Sequence, residues 1–222
     1  MPRGYRPPFG INNFPKSCAD LLLSEARHRK QSPRRALDLG CAVGRSSFEL
    51  ARKVPEVVGI DFSQTFLRAA RAMAKSGFLR FSLKVEGNLR QNLKARGPSR
   101  KLGKRVCFRA GDALNLPRLG QFDLVLAANL VDRVKDPKRL LRVVLPGLVR
   151  PGGLLLLTSP YTWSNQFTPP ARWLRDSFSS IRKFLSPSFR LIRRRDLPFL
   201  LREHRRKFQL TFADATLWLR LP

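Results

Sequence analysis

Acidic residues are scarce in this chain: 15 Asp and Glu stand against 44 Lys and Arg among 222 residues, a formal net charge of +29. An excess of that size attracts nucleic acid and acidic membrane surfaces, and it is equally consistent with basic residues spread over solvated faces. Two clusters, residues 90–105 and 190–206, concentrate the charge. Neither carries the pattern of an RRM, a KH domain or a zinc finger. Cysteine is also rare. Cys18, Cys41 and Cys107 are odd in number and lack CxxC spacing, which excludes a complete disulfide framework and a cysteine zinc site and points to a reducing, cytoplasmic compartment. No metal is expected.

Long apolar runs are absent. The longest, near residues 124–130 and 152–157, are strand-sized, well short of the roughly 20 residues that span a bilayer, so no membrane insertion is expected. Residues 1–12 read as a basic, proline-containing tail without the apolar core and cleavage pattern of a secretory signal. Organellar targeting by this tail stays open as an alternative. Residues 13–222, in a chain that is 43% hydrophobic, suffice for a single domain with a buried core.

What is present is a repeated alternation. Apolar runs at residues 36–39, 57–60, 106–110, 122–127 and 154–158 lack a clean polar face and predict strands buried on both sides. Segments of helical period lie between them, at 46–53, 64–74, 86–95 and 138–149. Strand alternating with helix predicts an α/β fold with a mostly parallel sheet. Residues 94–104 (KARGPSRKLGK) read as an exposed loop. At the end of the chain, KFQLTF and TLWLRL flank ADA as two strands around a short turn, predicting a closing antiparallel hairpin. Proline-rich, aromatic stretches before it read as loops and short helices covering a site.

The first strand runs into Asp38-Leu39-Gly40-Cys41-Ala42-Val43-Gly44. The first glycine permits a sharp turn, and the second keeps side chains away from whatever sits over the start of the next helix, near Arg45. Such loops serve dinucleotides, nucleotides and nucleosides alike. A carboxylate ends the second strand at Asp61, placed to accept both hydroxyls of a ribose. Asp112 and Ala113 follow the third strand and suit an exocyclic amine and an adenine face. Asp123 opens the fourth strand, which runs into Asn129. A dinucleotide GxGxxG would need a third glycine, which this loop lacks.

This set, in this order, resembles the class I S-adenosylmethionine-dependent methyltransferases, a Rossmann-like fold with a mostly parallel seven-stranded sheet and an antiparallel seventh strand. The resemblance implies S-adenosyl-L-methionine as cofactor, held by Asp38, Gly40, Cys41, Ala42 and Gly44 on the methionine side, by Asp61 and Phe62 at the ribose, and by Asp112, Ala113 and Asn129. Longer strings, ALDLGCAVGRSSFELAR, GIDFSQTFLRAA, FDLVLAANLVDRVKDP, PGGLLLLTSPYTW, FTPPARWL and LPFLLREHRRKFQ, resemble the methyltransferase domain of the ovothiol-synthesis enzyme, the 4-mercaptohistidine N1-methyltransferase family. That resemblance spans residues 13–219 and implies methylation of a ring nitrogen of a thiolated histidine. Larger members carry an upstream iron-dependent sulfoxide synthase. His28 and His204 are too few for a three-histidine iron site, so this chain is expected to methylate a thiolated histidine but not to make one, with an upstream sulfoxide synthase as a candidate partner.

For this chemistry Asp132, Tyr161 and His204 are the candidate catalytic groups, and Arg133, Tyr161 and Trp163 the candidate substrate-binding groups. Asp132 orients or deprotonates the acceptor, or serves only as a helix-entry acid. Arg133 binds a carboxylate or is a solvated cation. The aromatics face the substrate or pack the cover onto the sheet, and His204 is a base or a surface residue. Cys41 reads as a loop residue, since the chemistry needs no thiolate. Two further readings remain on the sequence: RNA or another macromolecule as methyl acceptor, and a catalytically silent polyanion-binding module.

Overall fold

The structure, a computed structural model, describes residues 13–204 and 206–222; the expected tail 1–12 lies outside them. In chain order the elements are α1 (Phe14–His28), β1 (Arg35–Leu39), α2 (Arg45–Leu50), β2 (Glu56–Asp61), α3 (Gln64–Ser76), β3 (Phe78–Glu86), β4 (Leu89–Arg96) and α4 (Arg100–Gly103). There follow β5 (Val106–Ala110), β6 (Phe122–Ala128), a helical stretch of α5 (Pro137–Arg139), a π-helical turn (Leu140–Val144) and α6 (Leu145–Leu148), then β7 (Val149–Ser159), α7 (Ser177–Leu185), β8 (Phe189–Arg202) and β9 (Phe208–Arg220). Seven strands form one sheet in the order β5-β2-β1-β6-β7-β9-β8. Only β9 runs against its neighbours β7 and β8. The expected Rossmann-like α/β sheet is therefore the observed one.

Successive strand residues point to opposite faces, and here both faces are covered. Leu37, Leu39, Val125, Ala127, Leu155 and Leu157 pack with Leu140, Leu141, Leu145 and Ile181. Their neighbours Ala36, Val57, Leu124, Leu126, Leu154 and Leu156 pack beneath Cys18, Leu22 and Ala26 of α1 and Leu50 of α2. This double burial explains the unbroken apolar runs. The parallel strands end on a common edge, where Leu39, Asp61, Ala110, Ala128 and Ser159 leave the sheet. No helix among the described residues is long and apolar enough to cross a membrane, and no cluster of metal-ligating side chains occurs among them.

Three expectations are corrected. Residues 86–95 are not a helix: β3 and β4 form a separate antiparallel pair, joined through Gly87 at a φ of 45°. Leu89 and Leu93 are four apart, a spacing that fits a helix face and a strand face equally. Residues 94–104 are not a loop throughout, because β4 continues to Arg96 and α4 is capped by the Ser99 hydroxyl, which accepts from the Leu102 N–H. The closing hairpin is also displaced. KFQLTF and TLWLRL belong to the single strand β9, and ADA lies inside it, Ala213 opposite Leu197 and Asp214 opposite Asp196. The partner is β8, in a stretch read as loops and short helices. Pro198 is tolerated there because β8 is the edge strand.

Candidate active site

The glycine loop is tied to the end of β2 by its own backbone. The N–H groups of Gly40 and Cys41 both donate to the Ile60 carbonyl, at 2.8 and 2.9 Å, and Gly44 donates to Cys41 at 2.8 Å. Gly40, Ala42 and Gly44 have φ values of 79°, 47° and 82°, left-handed values that favour glycine at two of the three positions. Asp61 closes the loop: Oδ2 accepts from the Ala42 N–H and Oδ1 from the Ser63 N–H, each at 2.8 Å. Phe62, next in the chain, is 83% exposed, a large apolar ring with nothing over it.

Gly44 has a second reason to lack a side chain. A Cβ there would come within 2.5 Å of the Phe108 ring, which also fills the space beside Gly59. The room at this glycine is thus taken by the core rather than held open for a ligand. Gly44→Ala is expected to cost about 2–4 kcal/mol, from left-handed strain plus overpacking. Urea denaturation checks this, and in a Phe108→Ala background, where the overpacking is relieved, Gly44→Ala should cost only the left-handed strain of about 1–2 kcal/mol relative to Phe108→Ala alone.

Asp38 lies under the loop, 1% exposed, and receives the Ser47 hydroxyl at 2.6 Å. Burial pushes its carboxyl up to about 7; the Ser47 hydrogen bond opposes this and the charge of Asp61 adds to it. An unfolded aspartate loses its proton near pH ~4, so the folded chain holds an extra proton between there and about 7. Stability from this group is full below the lower value and declines as pH rises to the upper one. Asp38→Asn is expected to flatten that decline, gaining on the parent protein at pH 8 relative to pH 5 in urea midpoints. The Cys41 thiol is buried and pushed up by burial and then by Asp38 and Asp61, which agrees with a loop residue and not a nucleophile.

At the end of β5, Asp112 folds its own turn: Oδ1 accepts from the Leu114 N–H at 2.9 Å and Oδ2 from Asn115 Nδ2 at 3.2 Å, with Ala113 buried between. At the end of β6, Asn129 is left-handed, with φ 50°. Its N–H donates to Thr158 Oγ1, and its Oδ1 accepts from the same hydroxyl at 2.8 Å. Leu130 then sits 3.1 Å from where a Gly40 Cβ would stand, so the β6 loop adjoins the glycine loop.

Asp132 and Arg133 follow in a single 3-10 turn, Val131–Arg133. Asp132 is fully buried. Its Oδ2 receives Arg133 Nη1 at 2.9 Å and the Thr162 hydroxyl at 3.2 Å, while its Oδ1 has no partner among the described residues. Arg133 also donates to the Thr162 carbonyl and hydroxyl, at 2.6 and 2.8 Å. An unpaired buried carboxylate oxygen is costly to the fold, which marks it as a place where a donor is missing.

Tyr161 is brought to the same edge. It has φ 55°, and its N–H donates to Ser159 Oγ. Its hydroxyl donates to Asp214 Oδ2 at 2.6 Å, and Asp214 also receives Arg194 Nε. Burial, then the hydrogen bond to and charge of Asp214, pushes the phenol up, so Tyr161 acts as a fixed donor rather than a base. Trp163 turns toward α7 and donates to Ser177 Oγ at 3.1 Å. His204 is not brought to the edge. It lies in the β8–β9 turn with Nδ1 accepting from Arg206 N–H, eight residues beyond Asp196 and so roughly 26 Å along an extended strand.

Residues 37–155, more than half the chain, match the methyltransferase domain family. The chain belongs to this family. The methyltransferase domain is 28% identical over 155 residues to norajmaline N-methyltransferase of Rauvolfia serpentina, covering 69% of this chain and 44% of that protein. It is 26% identical over 178 residues to ribosomal RNA small subunit methyltransferase C of Alcanivorax borkumensis, covering 78% and 45%. The chain thus spans about half the length of these curated relatives. Among solved structures it superposes on the N-methyltransferase NodS of Bradyrhizobium japonicum WM9, with TM-score 0.60 and 16% identity over 99% of this chain and 94% of that one. It also superposes on magnesium protoporphyrin IX methyltransferase of Synechocystis PCC 6803 with S-adenosylhomocysteine bound, with TM-score 0.63 and 16% identity over 95% and 85%. At such identities the likeness establishes the fold.

The residues present fit S-adenosylmethionine, the family's cofactor. Asp61 spends one bond on each oxygen and keeps acceptor capacity for hydroxyls, the Phe62 ring beside it is uncovered, and the Gly40–Gly44 turn leaves the strand edge free of bulky loop side chains apart from Val43. Ser47, Thr158, Thr162, Arg194 and Asp214, which hold the named residues in place, carry no signal in the sequence beyond lying near them. Asp214 was hidden by its setting between two alanines, which reads as a turn.

Proposed function

We propose that this methyltransferase domain methylates nitrogen in a small-molecule acceptor, and that the acceptor is a ring nitrogen of a thiolated histidine. The observation that carries the reading is the Asp132 carboxylate, buried in the turn after β6 with Oδ1 unpaired among the described residues. Two of the similar proteins are N-methyltransferases, which supports nitrogen as the acceptor atom, and the strings of the ovothiol-type family support the imidazole.

Gly40, Cys41, Ala42, Gly44, Asp38, Asp61, Phe62, Asp112, Ala113 and Asn129 would hold the cofactor. When bound, it supplies an electrophilic methyl group on a sulfonium. The protein's part is then alignment and exclusion of water. Arg133 spends donors on Thr162, and an acceptor carboxylate can take them instead, opening the cover over Asp132. The unpaired Oδ1, once uncovered, accepts one ring N–H of the imidazole, which leaves the other ring nitrogen with its lone pair toward the methyl. Tyr161, its one O–H spent on Asp214 and its backbone N–H on Ser159, lines the same edge with its ring and a hydroxyl oxygen that can only accept. His204 has no part in this arrangement.

The test is methyl-labelled S-adenosylmethionine offered with 5-thiohistidine, histidine and bulk RNA in parallel, read by mass spectrometry. Label on 5-thiohistidine alone is the expected result. Label on RNA, on histidine with equal efficiency, or on none of the three would overturn the assignment.

A further inference from the structure

The β3–β4 hairpin stands apart from the seven-stranded sheet and has a division of chemistry that the catalytic edge does not use. Its register pairs Phe78 with Arg96, Arg80 with Lys94, Ser82 with Asn92 and Lys84 with Arg90. Residues two apart share a face, so one side carries Arg80, Lys84, Arg90, Lys94 and Arg96. The other carries Leu79, Phe81, Leu83, Leu93 and Ala95. Val85 is buried and Leu83 and Leu93 are partly buried, whereas all five cations are exposed.

None of these five cations enters a salt bridge among the described residues, a state they share with many other Lys and Arg of the chain but not with Arg29, Arg133 or Arg194. Two of the cross-strand pairs, Arg80 with Lys94 and Lys84 with Arg90, set like charges directly opposite one another, an arrangement that destabilises a strand pair. A two-stranded hairpin is marginal to begin with. Arg90 is anchored on Ser82 through Oγ and the carbonyl, and Lys94 lies 4.1 Å over the Phe78 ring, so two of the cations are held in place without any charge compensation. At mid-hairpin a depression of about 600 Å³ is bordered by Arg80, Ser82, Asn92 and Lys94 and also by Phe81 and Leu93.

We propose that this face binds the phosphate backbone of RNA. Oxyanions compensate the facing cations, and the Ser82 and Asn92 side chains between the two like-charged pairs are placed to bond ribose 2′-hydroxyls, which DNA lacks. An anionic membrane would attract the same cations electrostatically, but it offers no 2′-hydroxyls for the Ser82 and Asn92 side chains between the two like-charged pairs, which favours RNA. The aromatic ring on the cationic side, Phe78, lies under Lys94 and is taken up by that cation, so the phosphate backbone rather than stacked bases is contacted and binding is independent of sequence. This surface is separate from the acceptor site, and its assignment does not depend on the acceptor proposed above.

The test is fluorescence anisotropy of the full chain with a labelled structured RNA across a salt series. The combined substitution Arg80→Gln, Lys84→Gln, Arg90→Gln and Lys94→Gln is compared with an equal charge change at Lys135, Lys138, Arg139 and Arg142. The hairpin variant is expected to lose at least tenfold in affinity and to lower the slope of log affinity against log salt by about 3. The second variant should change both far less, and thermal melting of both variants confirms that they fold. An unchanged affinity in the hairpin variant, or an equal loss in the second, would overturn the proposal. So would equal binding of DNA of the same sequence, or hairpin-dependent binding of phosphatidylserine vesicles without RNA binding.

Discussion

Asp132→Asn is expected to lower turnover by about 10²–10⁴-fold, the usual contribution of a group that steers or accepts a proton, while leaving cofactor affinity unchanged. The substitution keeps the shape of the side chain and removes its charge. In the structure Asp132 does two things: Oδ2 holds Arg133 and Thr162, and Oδ1 is unpaired among the described residues. Asparagine can retain one of these acceptor roles, so a purely structural Asp132 predicts lost stability with turnover per folded molecule intact. Steady-state kinetics on 5-thiohistidine, corrected by calorimetric binding of S-adenosylhomocysteine for active-site content, separates the two. A kcat within a factor of a few of the parent would show that Asp132 is an architectural residue.

Asp61→Ala is expected to weaken S-adenosylhomocysteine binding by about 100- to 1000-fold, equivalent to about 3–4 kcal/mol from bonds to a charged acceptor. The carboxylate acts from both sides. It fixes the glycine loop through the Ala42 N–H and its own turn through the Ser63 N–H, and it offers its remaining lone pairs at the strand edge. Asp61→Asn, which keeps one acceptor oxygen, should fall between alanine and the parent. Isothermal titration calorimetry measures both, and an affinity retained in Asp61→Ala would remove this residue from the cofactor site.

The central sheet was legible in the sequence because its strands are buried on both faces, and burial writes itself as unbroken apolar runs ending in Gly40, Asp61, Asp112 and Asn129. The glycine loop was legible for the same local reason. What lay beyond local reading depends on partners far along the chain. Leu89 and Leu93 fit either a helix or a strand until β3 is seen opposite them. Asp214, in ADA, reads as a turn until Tyr161 and Arg194 are found on it, 53 and 20 residues away. The reason for Gly44 is likewise remote, since the ring it makes room for belongs to Phe108. At the site itself, the order of Asp38, Asp61 and Asp112 could be read, whereas the Ser47, Thr158 and Thr162 hydroxyls that fix their neighbourhood could not.

The +29 charge also takes on a more specific form in three dimensions. Many arginines are engaged singly: Arg29 with Glu25, Arg150 with Asp123, and Arg194 with Asp214. The β3–β4 cations are not, a state they share with many other Lys and Arg of the chain; what sets that face apart is a register that holds Arg80 opposite Lys94 and Lys84 opposite Arg90, and on that juxtaposition the nucleic-acid proposal rests.

The most direct test of the account is transfer from ¹³C-methyl S-adenosylmethionine to 5-thiohistidine by the full chain, with the product read by NMR. The account predicts a single labelled N-methyl group on the imidazole ring, formed about 10²–10⁴-fold more slowly when Asp132→Asn replaces the parent. Label on the sulfur or the amino group, or no label with cofactor bound at full occupancy, would contradict it.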